Sequence, residues 1–212
     1  QKTIRLEDFP GAYSIIPQSL DEKIVSDAIL EWIKIPGSQP DGIIYVADIT
    51  NLRRNLFFLT QLMPLNIPII LLLNMSDVVS ENVIDIDLLQ KNTGIHKIIA
   101  FSAAKKSGFD ILKDTLSSFD IKAPKKHSCM PLSKEYKKLI KPLTDKISTL
   151  YSISNDLAEH LSFSLLCNRK QLESLHLEKS DLHEVVSIKT HILDNIDKDM
   201  KSHLKTMESD LR

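Results

Sequence analysis

The sequence predicts a parallel α/β sheet domain followed by an all-α helical domain. No glycine follows Gly108 and no proline follows Pro142 in the 212 residues. Because glycine and proline interrupt regular structure, the first part of the chain should alternate short strands with helices, and the rest should be helical. Two short apolar runs, Gly42–Ala47 and Ile69–Leu73, have the composition of parallel strands that are buried on both faces.

This composition break also predicts the domain boundaries. Residues 122–131 combine two prolines with clustered lysines, which is typical of a linker. We therefore expect a sheet domain at 1–121, a linker at 122–131 and a helical domain at 132–212.

The elements of the sheet domain follow from apolar periodicity and from capping residues. Thr3–Glu7 is predicted to form a short strand, and Ser19 with Glu22 three residues later predicts a capping box at a helix start. The expected apolar face of that helix consists of Ile24, Ala28, Ile29 and Trp32. The other expected elements are helices at Asn51–Met63, Ile84–Lys91 and Phe109–Phe119 and a strand at Lys97–Phe101.

The helical domain contains three amphipathic patterns. The first begins at Ser133, and its apolar residues recur at the spacing of one helix face: Tyr136, Leu139, Ile140, Leu143, Ile147 and Leu150. The second covers Asn155–Leu166, and the third begins at Ser180.

The overall composition argues against several classes of function. A net charge of −1 gives no reason to expect nucleic acid as a partner. The two cysteines, Cys129 and Cys167, are too few and too isolated for a disulfide framework or a zinc site. The longest apolar run, Ile67–Leu73, is far shorter than the roughly 20 residues that a membrane helix needs.

Three clusters of polar and small residues directly follow predicted strands. They are Asp8-x-Pro10-Gly11, Asn74-x-x-Asp77 and Ser102-Ala103. Taken singly, each has an ordinary explanation, because D-x-P-G is usually a turn and because Asn and Asp commonly cap helices. In an open parallel sheet, however, ligands bind beyond the carboxyl ends of the strands. The common placement of the three clusters therefore favours a guanine-nucleotide site over turn chemistry.

Each cluster suits one part of such a nucleotide. The Asp77 carboxylate can accept two N–H groups from the Watson–Crick edge of guanine, which adenine does not offer. Asn74 can tether neighbouring loops, and a tight turn at Ser102-Ala103 can direct a backbone N–H at guanine O6. Asp8 can reach a phosphate-bound Mg²⁺ through water, and Gly11 lets a backbone amide approach a terminal phosphate closely.

Several segments resemble the ferrous iron transport protein B family. Asp8–Glu22 is similar to its third GTPase motif and switch II region, and Pro40–Leu62 to its P-D-x-x-x-x-V-x-D-x-x-x-L-x-R-N-L signature. Asn74–Asp77 matches the guanine-specificity motif, and Phe101–Gly108 matches the final base-binding loop. The second half resembles the helical appendage, similar to a guanine-nucleotide dissociation inhibitor, that joins this GTPase to a membrane iron permease.

The resemblance implies a P-loop GTPase-like parallel sheet, incomplete because its first strand is absent, with GTP or GDP and Mg²⁺ as ligands. Asp8 would face Mg²⁺ through water, and Gly11 would face the γ-phosphate at the hinge of switch II. Asp77 would select guanine, and Asn74 would brace the site. Met75 would lie along the base, and Ser102 and Ala103 would close over it. No residue is assigned as the catalytic group, and Ala12 stands where the family usually has threonine.

The implied function is GTP binding and hydrolysis by the regulatory domain of a ferrous iron membrane transporter, at the cytoplasmic face of the cell membrane. The expected partners are guanine nucleotide, the permease portion of the same protein and a second copy in a homo-oligomer, but not nucleic acid. The alternative is a non-catalytic guanine-nucleotide or protein-interaction module that has lost phosphate binding. This alternative stays open because no G-x-x-x-x-G-K-[ST] loop occurs in the sequence. We expect the sequence to be a fragment of a longer chain.

Overall fold

The computed structural model describes residues 3–15, 17, 19–35, 37–80, 84–118, 133–167, 177–196 and 202. The chain divides into two compact units. The sheet unit comprises Gln1–Asp8 and Gln39–Cys129, and the helical unit comprises Phe9–Ser38 and Met130–Arg212. The predicted linker at 122–131 lies outside the described residues, so the predicted domain division stays a prediction.

The described part of the chain contains three strands and seven α-helices. The strands are β1 (Ile43–Asp48), β2 (Ile69–Asn74) and β3 (Lys97–Ala100). The helices are α1 (Leu20–Lys34), α2 (Leu52–Leu62), α3 (Ile86–Thr93), α4 (Phe109–Ser117), α5 (Lys134–Tyr151), α6 (Asn155–Cys167) and α7 (Lys179–Asn195). The predicted order, an α/β part followed by a helical part, is confirmed.

The three strands form a parallel sheet in the order β1–β2–β3. Ile43 lies opposite Ile69, and Ile70 lies opposite Lys97. Because all three strands run in the same direction, their carboxyl ends meet at one edge of the sheet. The predicted parallel sheet is therefore confirmed for these strands.

Helices cover both faces of this sheet. On one face, Leu112 and Leu116 of α4 pack against a buried cluster that consists of Ile70 and Leu72 of β2, Ile99 of β3 and Phe101, which directly follows β3. On the other face, the rings of Tyr45 in β1 and Phe58 in α2 lie edge to face, with centroids 5.9 Å apart. The prediction that β1 is buried on both faces is wrong at Val46, which is 55% exposed because β1 is an edge strand of the described sheet.

The predicted strand at Thr3–Glu7 is also wrong. The structure assigns no strand to these residues, and all five are exposed, Leu6 to 71%. A strand is stable only when a neighbouring strand satisfies its backbone hydrogen bonds. Among the described residues no strand pairs with this segment.

Helix α1 begins as the capping residues predict, but it buries the predicted apolar face only in part, because Ile29 is buried and Ile24 is not. The Oγ of Ser19 accepts the N–H of Glu22 at 3.2 Å. The Glu22 carboxylate then accepts the N–H of Tyr13, also at 3.2 Å, so it closes the preceding loop instead of returning to the cap residue. Ile24, predicted to be buried, is 54% exposed, whereas Val25 and Leu30 are buried.

In the helical unit, α5 begins after Ser133, whose Oγ accepts the N–H of Tyr136, and it continues through Pro142. Its fully buried residues, Ile140, Leu143 and Ile147, belong to the predicted stripe.

Ion pairs and ring contacts join the helices of this unit. Lys137 of α5 pairs with Glu159 of α6 at 2.8 Å, and Lys146 of α5 pairs with Asp181 of α7 at 3.1 Å. The ammonium of Lys34, at the end of α1, lies 5.3 Å from the ring centroid of Tyr151. Burial raises the pKa of the Tyr151 hydroxyl, and the charge of Asp181 adds to this effect. None of the helices in the described part of the chain is both long and apolar enough to cross a membrane.

Candidate functional site

The candidate site lies where β2 and β3 end. The N–H of Phe101 donates to the carbonyl of Leu73 at 3.0 Å and extends the strand pairing by one bond. Two loops begin at this point, one at Asn74 and the other at Ser102. The parallel pairing thus places the second and third predicted clusters next to each other.

Asn74 connects the two loops through its side chain. Its Oδ1 accepts the backbone N–H of Ala103 at 3.1 Å. Ala103 belongs to the turn that is predicted to direct a backbone N–H at guanine O6, and in this structure the N–H of Ala103 is directed at Asn74 instead.

Ser76 forms a second connection, which sequence reasoning missed. Its backbone N–H donates to the carbonyl of Phe101 at 3.1 Å, and its Oγ donates to the same oxygen at 2.9 Å. A serine beside Asn and Asp is typical of turns, but nothing in the sequence identifies a partner 25 positions away.

Met75 and Asp77 face solvent on either side of Ser76. Met75 adopts the left-handed conformation, with φ of 63°, and its side chain is 40% exposed. Asp77 lies in a short 3₁₀ turn, Ser76–Val78, and is exposed. Among the described residues its carboxylate has no hydrogen-bonding or ion-pair partner. Both oxygens of Asp77 are therefore open to a ligand with two adjacent N–H groups.

The loop after β3 is a closed turn. Ser102 and Ser107 exchange backbone hydrogen bonds of 3.2 and 3.1 Å, and the buried Oγ of Ser102 accepts the N–H of Lys105 at 3.1 Å. Gly108 ends the turn with φ of 82°, and a Cβ there would lie 2.7 Å from the carbonyl oxygen of Ala100. Only glycine fits this position without displacing the end of β3.

The first cluster, Asp8-x-Pro10-Gly11, is divided between the two units. Asp8 belongs to the sheet unit and Gly11 to the helical unit, and both are exposed. A Cβ on Gly11 would meet no atom within 4 Å, so its surroundings do not require glycine. Among the described residues no three His, Cys, Asp or Glu side chains are grouped as a metal site. The single Asp8 carboxylate is compatible with a Mg²⁺ ion that is held mainly by phosphates and water.

Side-chain hydrogen bonds connect β1 to the residues that follow it, inside the part of the chain that resembles the family signature. Asp48, opposite Asn74 in the sheet, accepts the N–H of Thr50 at 2.8 Å and its hydroxyl at 2.7 Å. These bonds lower the pKa of the Asp48 carboxyl. The Tyr45 hydroxyl donates to the carbonyl of Asn55 at 2.7 Å. Asn51, the first residue of the helix predicted at Asn51–Met63, occupies the N-cap position of α2, but its side chain makes no capping bond.

Both the sequence and the fold are similar to those of known proteins. A sequence model of the family described as ferrous iron transport protein B matches residues 1–116. A Porphyromonas gingivalis fusion of Fe(2+) transport protein A with the Fe(2+) transporter FeoB is 28% identical over 201 residues, which is 92% of this chain and 23% of that protein. The Fe(2+) transporter FeoB of Staphylococcus aureus is 38% identical over 100 residues, or 45% of this chain and 14% of the transporter. The chain thus spans less than a quarter of these curated relatives.

Solved structures with a similar fold include two of NFeoB from S. thermophilus. One is bound to GDP, AlF4⁻ and K⁺ (26% identity, TM-score 0.64, 88% of this chain and 70% of that chain). The other is bound to mGMPPNP (26% identity, TM-score 0.61, 88% and 68%). The cytosolic domain of the T. maritima FeoB iron transporter in apo form, at 20% identity and a TM-score of 0.62, shares the fold over 89% of this chain and 77% of that one.

Proposed function

Because its first 116 residues match the family model, the chain belongs to the ferrous iron transport protein B family, and we propose that it binds guanine nucleotide with the loops that follow β2 and β3. One observation carries this proposal. The carboxylate of Asp77 is exposed and has no partner among the described residues, and Asn74, three positions earlier, accepts the N–H of Ala103 in the loop after β3. The nucleotides in the S. thermophilus structures support the same conclusion.

The recognition of guanine follows from the hydrogen-bonding groups. Asp77 accepts from N1–H and from the exocyclic 2-amino group of guanine, both of which are donors. Adenine has no donor at N1 and no amino group at C2, so the same carboxylate repels it. Met75 lies against the base, and the turn at Ser102-Ala103 closes over its O6 edge. For the Ala103 N–H to reach O6, it must leave Asn74 Oδ1 or share its proton between the two acceptors.

We further propose that the complete protein hydrolyses GTP as part of a ferrous iron transporter. Mg²⁺ carried by the phosphates supplies charge neutralisation, with Asp8 reaching it through water. Gly11 approaches the γ-phosphate, and loss of that phosphate releases the switch II segment that follows Gly11. The proposal keeps a sheet domain at 1–121, a linker at 122–131 and a helical domain at 132–212. The partners are guanine nucleotide, the permease portion of the transporter and a second copy of the chain, and the site of action is the cytoplasmic face of the membrane.

A second candidate is a non-catalytic module that keeps the base pocket without phosphate binding. One observation favours it: the sequence contains no G-x-x-x-x-G-K-[ST] loop, which binds the phosphates in P-loop proteins. Phosphate release from GTP by the full-length protein distinguishes the two. Phosphate release from GTP supports the enzyme. Binding of GDP without any phosphate release from GTP supports the non-catalytic module.

Base recognition is tested by measuring GDP and ADP affinity by calorimetry, in the full-length protein and in its Asp77→Ala variant. We expect the full-length protein to prefer GDP and the variant to lose that preference. Asp110→Ala, which removes an exposed carboxylate from the first turn of α4, is the matched control and should leave both affinities unchanged. Equal affinities for GDP and ADP in the unaltered protein would contradict the proposal.

A further inference from the structure

Ser76 lies inside the Asn74–Asp77 motif and connects it to the end of β3. Both of its donors, the backbone N–H at 3.1 Å and the Oγ at 2.9 Å, bond to the carbonyl oxygen of Phe101. Phe101 in turn donates its own N–H to the carbonyl of Leu73 at 3.0 Å. The backbone of Phe101 is therefore held on both sides by the segment that leads into Asp77.

This connection lies directly between the groups that the proposed function assigns to the base. Asp77 follows Ser76 in the chain, and Ser102 and Ala103 follow Phe101. The left-handed conformation of Met75 turns the chain between Asn74 and Ser76. As a result, the separation of the Asp77 carboxylate from the Ser102–Ser107 turn depends on the contact between Ser76 and Phe101.

We propose that Ser76 is a positioning residue for guanine recognition. Its hydroxyl holds the Asp77 carboxylate at the distance from the β3 loop that guanine requires, although Ser76 itself does not touch the base. This inference rests on the proposed nucleotide binding and adds to it a residue that the motif leaves unspecified. Asn74 connects the same two loops through Ala103. The loop after β3 is therefore held at two points near its start, Phe101 and Ala103.

The structure also indicates why a Ser76→Ala variant should fold. The variant loses the Oγ bond, but the backbone N–H of residue 76 still donates to Phe101, so the carbonyl keeps a partner. The Asp77 turn then gains freedom without leaving a buried acceptor unsatisfied. Ser76→Thr keeps a hydroxyl at the same position and serves as the rescue variant.

The test compares GDP with inosine diphosphate (IDP), which lacks only the 2-amino group that donates a hydrogen bond to Asp77. We expect Ser76→Ala in the full-length protein to weaken GDP binding roughly three- to tenfold, the equivalent of one net hydrogen bond. IDP binding should change less, so the ratio of GDP to IDP affinity falls. Ser76→Thr should restore most of that ratio. A purely structural role would reduce both affinities by the same factor.

Ser117→Ala is the matched control, because the Ser117 hydroxyl also donates to a backbone carbonyl, that of Lys113 at 2.8 Å, but within α4. It should leave the ratio unchanged. An unchanged ratio in Ser76→Ala, in a protein that prefers GDP to ADP, would overturn this inference alone. If the unaltered protein shows no preference for GDP over ADP, the proposed function fails, and the role of Ser76 fails with it.

Discussion

Asn74 and Ala103 are 29 positions apart in the sequence, yet the Oδ1 of Asn74 accepts the backbone N–H of Ala103 at 3.1 Å. This bond joins the loops after β2 and β3 through a side chain, beyond the last bond of the sheet. The loop after β2 carries the exposed carboxylate of Asp77. The relative position of the two loops is therefore set by individual side chains that can be substituted one at a time.

Replacing Asn74 with Ala should loosen the loop after β3 and weaken guanine-nucleotide binding. The loss of one hydrogen bond should lower the free energy of unfolding by about 1 kcal/mol. Calorimetric titration with GDP and urea unfolding measure the two effects. Asn55→Ala is the matched control, because among the described residues the Asn55 amide donates to the nearby Asn51 carbonyl alone, at 2.8 Å. Nucleotide affinity that falls equally in both variants would contradict the assigned role.

Gly108→Ala should destabilise the sheet unit strongly. Its left-handed backbone strains any residue with a Cβ, and that Cβ would lie 2.7 Å from the Ala100 carbonyl oxygen. We expect a loss of about 3 kcal/mol or more in the free energy of unfolding, measured by urea titration. Gly37→Ala shares the left-handed backbone, with φ of 86°, but has open space around it. It should therefore cost only about 1 kcal/mol of backbone strain. Equal losses would show that the close approach at Gly108 is absent in solution.

Ser19→Ala should destabilise α1 by removing its N-cap. The Ser19 Oγ accepts the Glu22 N–H, and without it that donor loses its protein partner. The expected cost is about 1 kcal/mol in chemical unfolding. Ser19→Gly should cost only a few tenths of a kcal/mol, because glycine permits the cap conformation and exposes the donor to water. Trp32, the single tryptophan, lies in this helix and provides a fluorescence signal. A glycine variant as unstable as the alanine variant would argue against the cap.

His160 should make the stability depend on pH. The side chain is buried in α6, and its Nδ1 has no partner among the described residues. Burial lowers the pKa of His160, and Lys137 adds to this, whereas Glu159 and Asp156 oppose it. The unfolded chain takes up this proton near pH 6.5 and the folded chain only at lower pH, so acid favours unfolding. The contribution of His160 is complete above about pH 6.5 and decreases as the pH falls below that value.

Urea unfolding at pH 7.5 and pH 5.5 measures this effect. His160→Leu replaces the buried imidazole with an apolar side chain and should remove part of the stability loss at pH 5.5. His191→Leu, at an exposed position of α7, should retain the full loss. The assignment would be wrong if both variants lost the same stability between the two pH values.

The sequence alone determined the elements whose signals are local. These signals depend only on neighbouring residues in the sequence. They are the apolar runs of β1 and β2, the caps at Ser19 and Ser133 and the glycine that ends the loop after β3, and each lies where the sequence predicts it. The motif residues were likewise visible as a pattern, because an Asn and an Asp after a buried strand stand out in the sequence.

Only the tertiary structure decided which side chains meet. The strand predicted at Thr3–Glu7 is absent, since a strand needs a partner that local sequence does not specify. The buried face of α1 keeps Ile29 but includes Val25 in place of Ile24, because apolar residues surround the helix and packing selects among them. The bonds from Asn74 to Ala103 and from Ser76 to Phe101 join positions more than 20 residues apart. Such contacts arise when parallel pairing brings two strand ends together, and periodicity within one segment carries no information about them.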